Sequence, residues 1–157
     1  MTQACFPPIG GARGRGAKSN ASGRFEALTR HGFDDGWSEP VEDDAPPQLK
    51  TELQVEKARK IVTENDSPDI GFNKSINPYR GCEHGCIYCF ARPSHAYMGL
   101  SPGVDFETKL FFKPEAARLL EKELSNPAYR CERIQLGANT DPYQPIERRL
   151  LITREIL

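Results

Sequence analysis

No stretch of this chain approaches the roughly 20 consecutive apolar residues that cross a bilayer, so no membrane-spanning helix is expected. No charged head leads into an apolar core at the N-terminus, so no secretory signal is expected either. Charge does not lean to one sign. The 21 basic and 22 acidic residues leave a formal net charge of −1, which gives no overall pull toward nucleic acid but leaves room for a local basic groove. Cysteine is sparse and odd in number, five in 157 residues. Three of these fall in one short motif, which argues against a disulfide framework and for a reducing, cytoplasmic compartment.

Those three are Cys82, Cys86 and Cys89, spaced C-x3-C-x2-C, with Gly81 and Gly85 preceding the first two. Three thiolates this close can hold three corners of an iron–sulfur cube and leave the fourth iron open to a small molecule. A second reading adds His84 to make a Cys3His zinc knuckle, since zinc takes four N/S ligands tetrahedrally. His84 lies only two residues from each neighbouring cysteine, whereas structural zinc sites more often pair two cysteine loops across a longer span. Iron–sulfur sites commonly use compact cysteine runs, so the spacing favours a cluster.

The chain divides near residue 50. Residues 1–49 read as a disordered tail, basic first (Arg15, Lys18, Arg24, Arg30) and then acidic (Asp34, Asp35, Glu39, Glu42, Asp43, Asp44). Low apolar content and blocks of charge bury too little surface to offset chain entropy. The Arg-Gly-Arg-Gly run at 13–16 also permits a basic arm that touches RNA, DNA or a partner. From residue 50 the pattern is α/β. Leu53, Val55, Ala58, Ile61 and Val62 form an amphipathic segment compatible with strand or helix, and residues 65–69 form a turn. Strands are expected over 74–79, 106–112 and 133–138. Helices are expected after Pro114, with Ala117, Leu120 and Leu124 on one face, and over 146–157. Strands alternating with helices suggest βα units and a parallel sheet.

Tyr88 precedes the last cysteine, completing C-x3-C-x-aromatic-C, and here the chain resembles the radical SAM superfamily. The longer string Asn77-Pro-Tyr-Arg-Gly-Cys-Glu-His-Gly-Cys-Ile-Tyr-Cys-Phe-Ala-Arg-Pro-Ser-His95 is similar to its bacterial branch related to spore photoproduct lyase, the DNA repair photolyase-like proteins. Further matching blocks are Gly137-Ala-Asn-Thr-Asp-Pro-Tyr-Gln-Pro-Ile-Glu147 with Thr153-Arg154, and Gly14-Arg-Gly-Ala-Lys-Ser-Asn20 with Arg24-Phe25-Glu26. The resemblance implies a partial (β/α) barrel whose βα loops converge on one mouth. It places the cysteine loop and the Asn139-Thr140-Asp141 loop there together. Residues 50–157 would be a truncated radical SAM core, because family members continue for about the same length again. The chain is therefore expected to be a fragment, marginal or aggregation-prone alone.

By the same resemblance, Cys82, Cys86 and Cys89 would ligate a 4Fe-4S cluster whose open iron binds S-adenosyl-L-methionine. Reductive cleavage would yield a 5′-deoxyadenosyl radical that abstracts hydrogen from a substrate, with a flavodoxin or ferredoxin as electron donor. The Tyr88 backbone would lie near the adenine. Asn139, Thr140 and Asp141 would offer polar contacts, and Lys109 or Lys113 would meet the SAM carboxylate. A nucleic acid substrate follows by analogy only. Two other outcomes stand beside this: a non-catalytic remnant that keeps the loop, and a zinc knuckle whose basic arm contacts RNA. Arg80 and Arg92 flank the loop as anion-binding groups or as ion-pair partners of Glu83, Asp141 or Glu147. Tyr143 and Glu147 read as braces, and Cys5 and Cys131 as bystanders.

Overall fold

The computed structural model describes residues 14–28 and 49–157. Among the described residues, six strands form two three-stranded sheets. In the first, β5 (Lys109–Phe112) lies between β1 (Glu52–Val55), to which it is parallel, and β4 (Tyr79–Arg80), to which it is antiparallel. In the second, β3 (Lys74–Ile76) lies between β2 (Val62–Glu64), antiparallel, and β6 (Ile134–Leu136), parallel. The described residues thus form an α/β fold of two small sheets and no closed barrel.

One extended stretch serves both sheets. β3 pairs Ile76 with Leu136, and β4 pairs Tyr79 with Phe112. Only Asn77 and Pro78 separate them. Proline has no N–H to give to a ladder, so the pairing must change partners there. Three oxygens at the changeover find partners. The Asn77 carbonyl accepts from Lys113 Nζ (2.8 Å), the Pro78 carbonyl from the Lys113 N–H (3.0 Å), and Asn77 Oδ1 from the Asn139 N–H (2.8 Å).

Four helices follow: α1 (Val104–Thr108), α2 (Ala116–Leu124), α3 (Glu147–Leu150) and α4 (Ile152–Ile156), with a 3-10 turn over Arg92–Met98. Helix α2 presents Ala116, Leu119 and Leu120 to the core. They join Ile61, Ile76, Tyr79, Leu110, Ile146 and Ile152 in one cluster. Leu110 is fully buried, a burial that contributes about 1.5–3 kcal/mol for a side chain of that kind. No helix among the described residues is long and apolar enough to cross a membrane.

Three local expectations change. Residues 50–62, open to strand or helix in the sequence, supply strands at both ends, and the Glu56 N–H extends the β1 ladder to the Phe112 carbonyl (2.8 Å). The strand expected over 106–112 holds only from Lys109. Residues 104–108 coil instead, and the Thr108 hydroxyl donates back to the Val104 carbonyl (2.8 Å). Phe106 and Leu110 are four apart, so both remain buried with a helical turn between them. The single helix expected over 146–157 breaks at Leu151, which takes a left-handed φ of 55°. There the Glu147 carboxylate accepts the N–H groups of Thr153 (3.0 Å) and Arg154 (3.1 Å) and caps the start of α4.

Candidate metal centre

The cysteine loop leaves β4 through Gly81, whose φ of 77° is one a side chain resists. The Cys82 N–H donates to the Phe106 carbonyl (3.0 Å), tying the loop's start to α1. The Cys89 N–H then donates to the Cys86 carbonyl (3.3 Å), and the Arg92 N–H to the Cys89 carbonyl (3.4 Å), winding the loop into successive turns. Cys82 is buried, while Cys86 and Cys89 are half-buried, and all three are free thiols. Burial pushes the Cys82 thiol above its ordinary pKa. The N–H groups of His84 and Asp141 pull the other way, and the charges of Asp141 and Cys89 add to the rise. His84 Nδ1 lies 3.7 Å from Cys82 Sγ and 3.2 Å from Asp141 Oδ2.

The second loop follows β6 and meets the first. Gly137 turns it at φ 75°, donating to the Ile76 carbonyl (2.9 Å). The Thr140 hydroxyl, buried, donates to the Tyr79 carbonyl (3.1 Å), so it braces β4 and is not turned to a ligand. Gln144 is fully buried and bonds the cysteine loop twice, accepting the Glu83 N–H (3.0 Å) and donating to the Gly81 carbonyl (3.3 Å). Asp141 accepts the Tyr143 N–H through Oδ1 (2.8 Å), leaving Oδ2 toward His84. The Asn139 side chain is exposed. The two loops singled out in the sequence therefore touch, through Cys82, His84 and Asp141 on one side and Gln144 on the other.

Other candidates lie elsewhere. Tyr88 is 86% exposed, between the equally open Ile87 and Phe90. Lys109 pairs with Asp105 (3.1 Å), one helical turn earlier, and Lys113 spends its ammonium on the Asn77 carbonyl. Burial lowers the Lys113 pKa. Arg80 pairs with Glu56 (2.8 Å), and Arg92 with Glu107, so neither takes the expected partners Glu83, Asp141 or Glu147. Glu147 does brace, holding Tyr79 and the start of α4. Cys131 is exposed and outside the site, and Cys5 lies outside the described residues.

Glu107 and Gln144 were not legible as site residues. Glu107 has a fully buried carboxylate side chain. It accepts the N–H groups of Gly16 (3.1 Å) and Ala17 (2.8 Å) as well as Arg92 Nη2. Arg92 donates onward to the carbonyls of Cys86 (2.9 Å) and Gly85 (2.9 Å). Residues 14–28 fall inside the segment expected to be a disordered tail, yet they are held on this face. Asn20 bonds Asp105 both ways, and the Ser101 hydroxyl donates to the Ala21 carbonyl.

The donor set suits an iron–sulfur cluster, since three soft thiols share one eight-residue loop. Among the described residues, no three His, Cys, Asp or Glu side chains already converge on one metal position. Loading would therefore require the three thiols to draw together.

Curated relatives at 46% identity over 88 residues include an uncharacterized protein of Mycobacterium tuberculosis, Rv2578c, and one of Mycobacterium bovis, Mb2609c. The match takes in 56% of this chain and 26% of each relative, so the chain spans about a quarter of the length of these relatives. No family model matches the chain. No solved structure matches it.

Proposed function

We propose that residues 50–157 are the cofactor-binding part of a radical SAM enzyme similar to the spore photoproduct lyase branch, with Cys82, Cys86 and Cys89 as the ligands of a 4Fe-4S cluster. The observation that carries this reading is the meeting of the C-x3-C-x2-C loop with the Asp141 loop, through Cys82, His84 and Asp141. When bound, the cluster would supply the electron that cleaves S-adenosyl-L-methionine and so starts hydrogen abstraction from the substrate.

The chain's own residues prepare the place. Burial pushes the Cys82 thiol up, and a metal bound there would favour the thiolate, which links loading to proton release. Gln144 holds the backbone of Gly81 and Glu83 and fixes the loop's entry. Asn139 and Asp141, at the end of β6, present polar side chains on the exposed rim for a ribose or an amino-acid end. Thr140 and Lys109 are committed elsewhere and are positioning groups in this reading. A flavodoxin or ferredoxin would deliver the electron, and a nucleic acid is the substrate class by analogy with the branch.

The test is anaerobic reconstitution of the chain with iron and sulfide. Absorbance at about 400 nm, from thiolate-to-iron charge transfer, supports the cluster. A colourless protein that takes up one zinc instead would overturn it in favour of a Cys3His site. Appearance of 5′-deoxyadenosine after reduction with S-adenosyl-L-methionine separates an enzyme from a remnant that only keeps the loop.

A further inference from the structure

The basic N-terminal segment is attached to the cysteine loop through one buried carboxylate. Glu107 takes the backbone N–H groups of Gly16 and Ala17 on one side and the Arg92 guanidinium on the other. Arg92 in turn donates to the carbonyls of Gly85 and Cys86, within the loop between the first two cysteines, and to Pro102 and Gly103. Every link in this chain of bonds is charge-assisted, the stronger kind of hydrogen bond. The backbone contact is also close. A Cβ on Gly16 would fall 1.8 Å from the Gly85 carbonyl oxygen, and one on Gly85 would fall 2.7 Å from Arg15 Cβ. Arg15 adds a second line, donating to the Glu107 carbonyl and to Thr51 Oγ1 (3.0 Å), whose hydroxyl reaches Glu83 (2.6 Å).

We infer that residues 14–20 are a strap that positions the cysteine loop, and that Glu107 is the positioning residue through which it acts. This rests on the proposed role of the loop as a cluster holder. The Arg15 guanidinium, the Gly16 and Ala17 N–H groups and the Asn20 amide are all spent on the protein, while Lys18 stays exposed. An unstrapped loop would release Arg92 from Gly85 and Cys86, and the two half-buried thiols would lose their fixed turn.

The test uses the whole chain with Glu107→Gln and, in a separate variant, Gly16→Val, which blocks the strap without touching the core. Exposed Glu115→Gln serves as the charge control. In the metal-free protein, alkylation of Cys86 by iodoacetamide is followed by mass spectrometry against exposed Cys131 as internal reference. Both strap variants are expected to raise the Cys86 rate about 5- to 30-fold, the factor that a loss of about one or two kcal/mol produces, with the control unchanged. After reconstitution, the same variants should bleach faster at about 400 nm under a chelator. Gly16→Val strands two donors of the buried Glu107 carboxylate and is expected to lower the thermal unfolding midpoint, so alkylation is read well below that midpoint, where a purely global weakening leaves the Cys86 rate of the folded protein unchanged. Unchanged Cys86 alkylation in both variants overturns the inference. If Glu107→Gln does not fold, Gly16→Val alone decides. If the wild type takes up no cluster, the proposed function falls, and the metal-free alkylation still decides the strap.

Discussion

The hydroxyl of Tyr79, in the strand that leads into the cysteine loop, donates to the carboxylate of Glu147, at the start of the helix after the second loop. The same carboxylate caps α4, so one buried group ties the approach of both loops to the helical layer. Removing the hydroxyl leaves that carboxylate short of one donor. Tyr79→Phe is expected to lower stability by about 1–3 kcal/mol, read as a shift in the urea midpoint.

The same contact makes the fold sensitive to alkali. Burial first, and then the Glu147 contact and its charge, hold the Tyr79 pKa well above its ordinary value. A raised folded pKa contributes stability that is fully present below the unfolded value, about 10, and is lost as pH rises beyond it. Urea midpoints taken from pH 8 to 11 should fall for the wild type above about pH 10 and fall less for Tyr79→Phe. Identical slopes would remove Tyr79 from the account.

Asp105 gives the opposite sign. Burial works against its charge, but the Ser101 N–H, the Asn20 amide and Lys109 outweigh that cost and hold its pKa below the usual carboxylate range. Stability from a depressed carboxylate is present above the unfolded pKa, about 3.9, and drains away as pH falls through the folded value. Asp105→Asn should therefore flatten acid unfolding below about pH 4, and it should loosen the Asn20 end of the N-terminal segment, measurable as faster tryptic cleavage after Lys18.

Two glycines with the same hand of φ separate strain from clash. Gly137 and Gly99 sit at φ 75° and 70°. A Cβ at Gly137 would come within 2.4 Å of Pro142 and 2.8 Å of the Thr140 carbonyl, whereas at Gly99 it would meet nothing within 4 Å. Gly99→Ala should cost only the left-handed penalty of about 1–2 kcal/mol. Gly137→Ala should cost clearly more in the same denaturation assay and should displace the Asp141 loop.

Iron uptake divides the cysteines. Cys82→Ala, Cys86→Ala and Cys89→Ala are each expected to abolish retention of a full cluster, while Cys131→Ala, at an exposed position away from the loop, should keep wild-type iron and sulfide content. Loss of iron from Cys131→Ala would point to a different ligand set.

The sequence announced what is local. Cys82, Cys86, Cys89 and the Asn139-Thr140-Asp141 loop lie in recognisable strings, and the structure brings Cys82 and His84 against Asp141. Helix α2 was legible from its proline and spaced apolar residues, but its face was misplaced: Ala116, Leu119 and Leu120 turn to the core, Ala117 is half-buried and Leu124 is exposed. The break at Lys109 was not, because Phe106, Leu110 and Phe112 fit both a two-residue alternation and a four-residue step. The reversal at Leu151 depends on a carboxylate that meets Tyr79 across 68 residues of chain. The docking of Gly16 depends on Glu107, 91 residues away. Low apolar content alone could not announce either, since both are held by buried charge and not by burial of hydrocarbon.

The handover at Asn77 and Pro78 has a thermodynamic consequence. Since one extended stretch supplies a strand to each sheet, peeling either sheet open drags its neighbour's ladder with it. The amide protons of Ile76, Leu110 and Leu136 should therefore exchange with deuterium as one cooperative unit, and the cysteine loop, springing from the end of that stretch, inherits its rigidity.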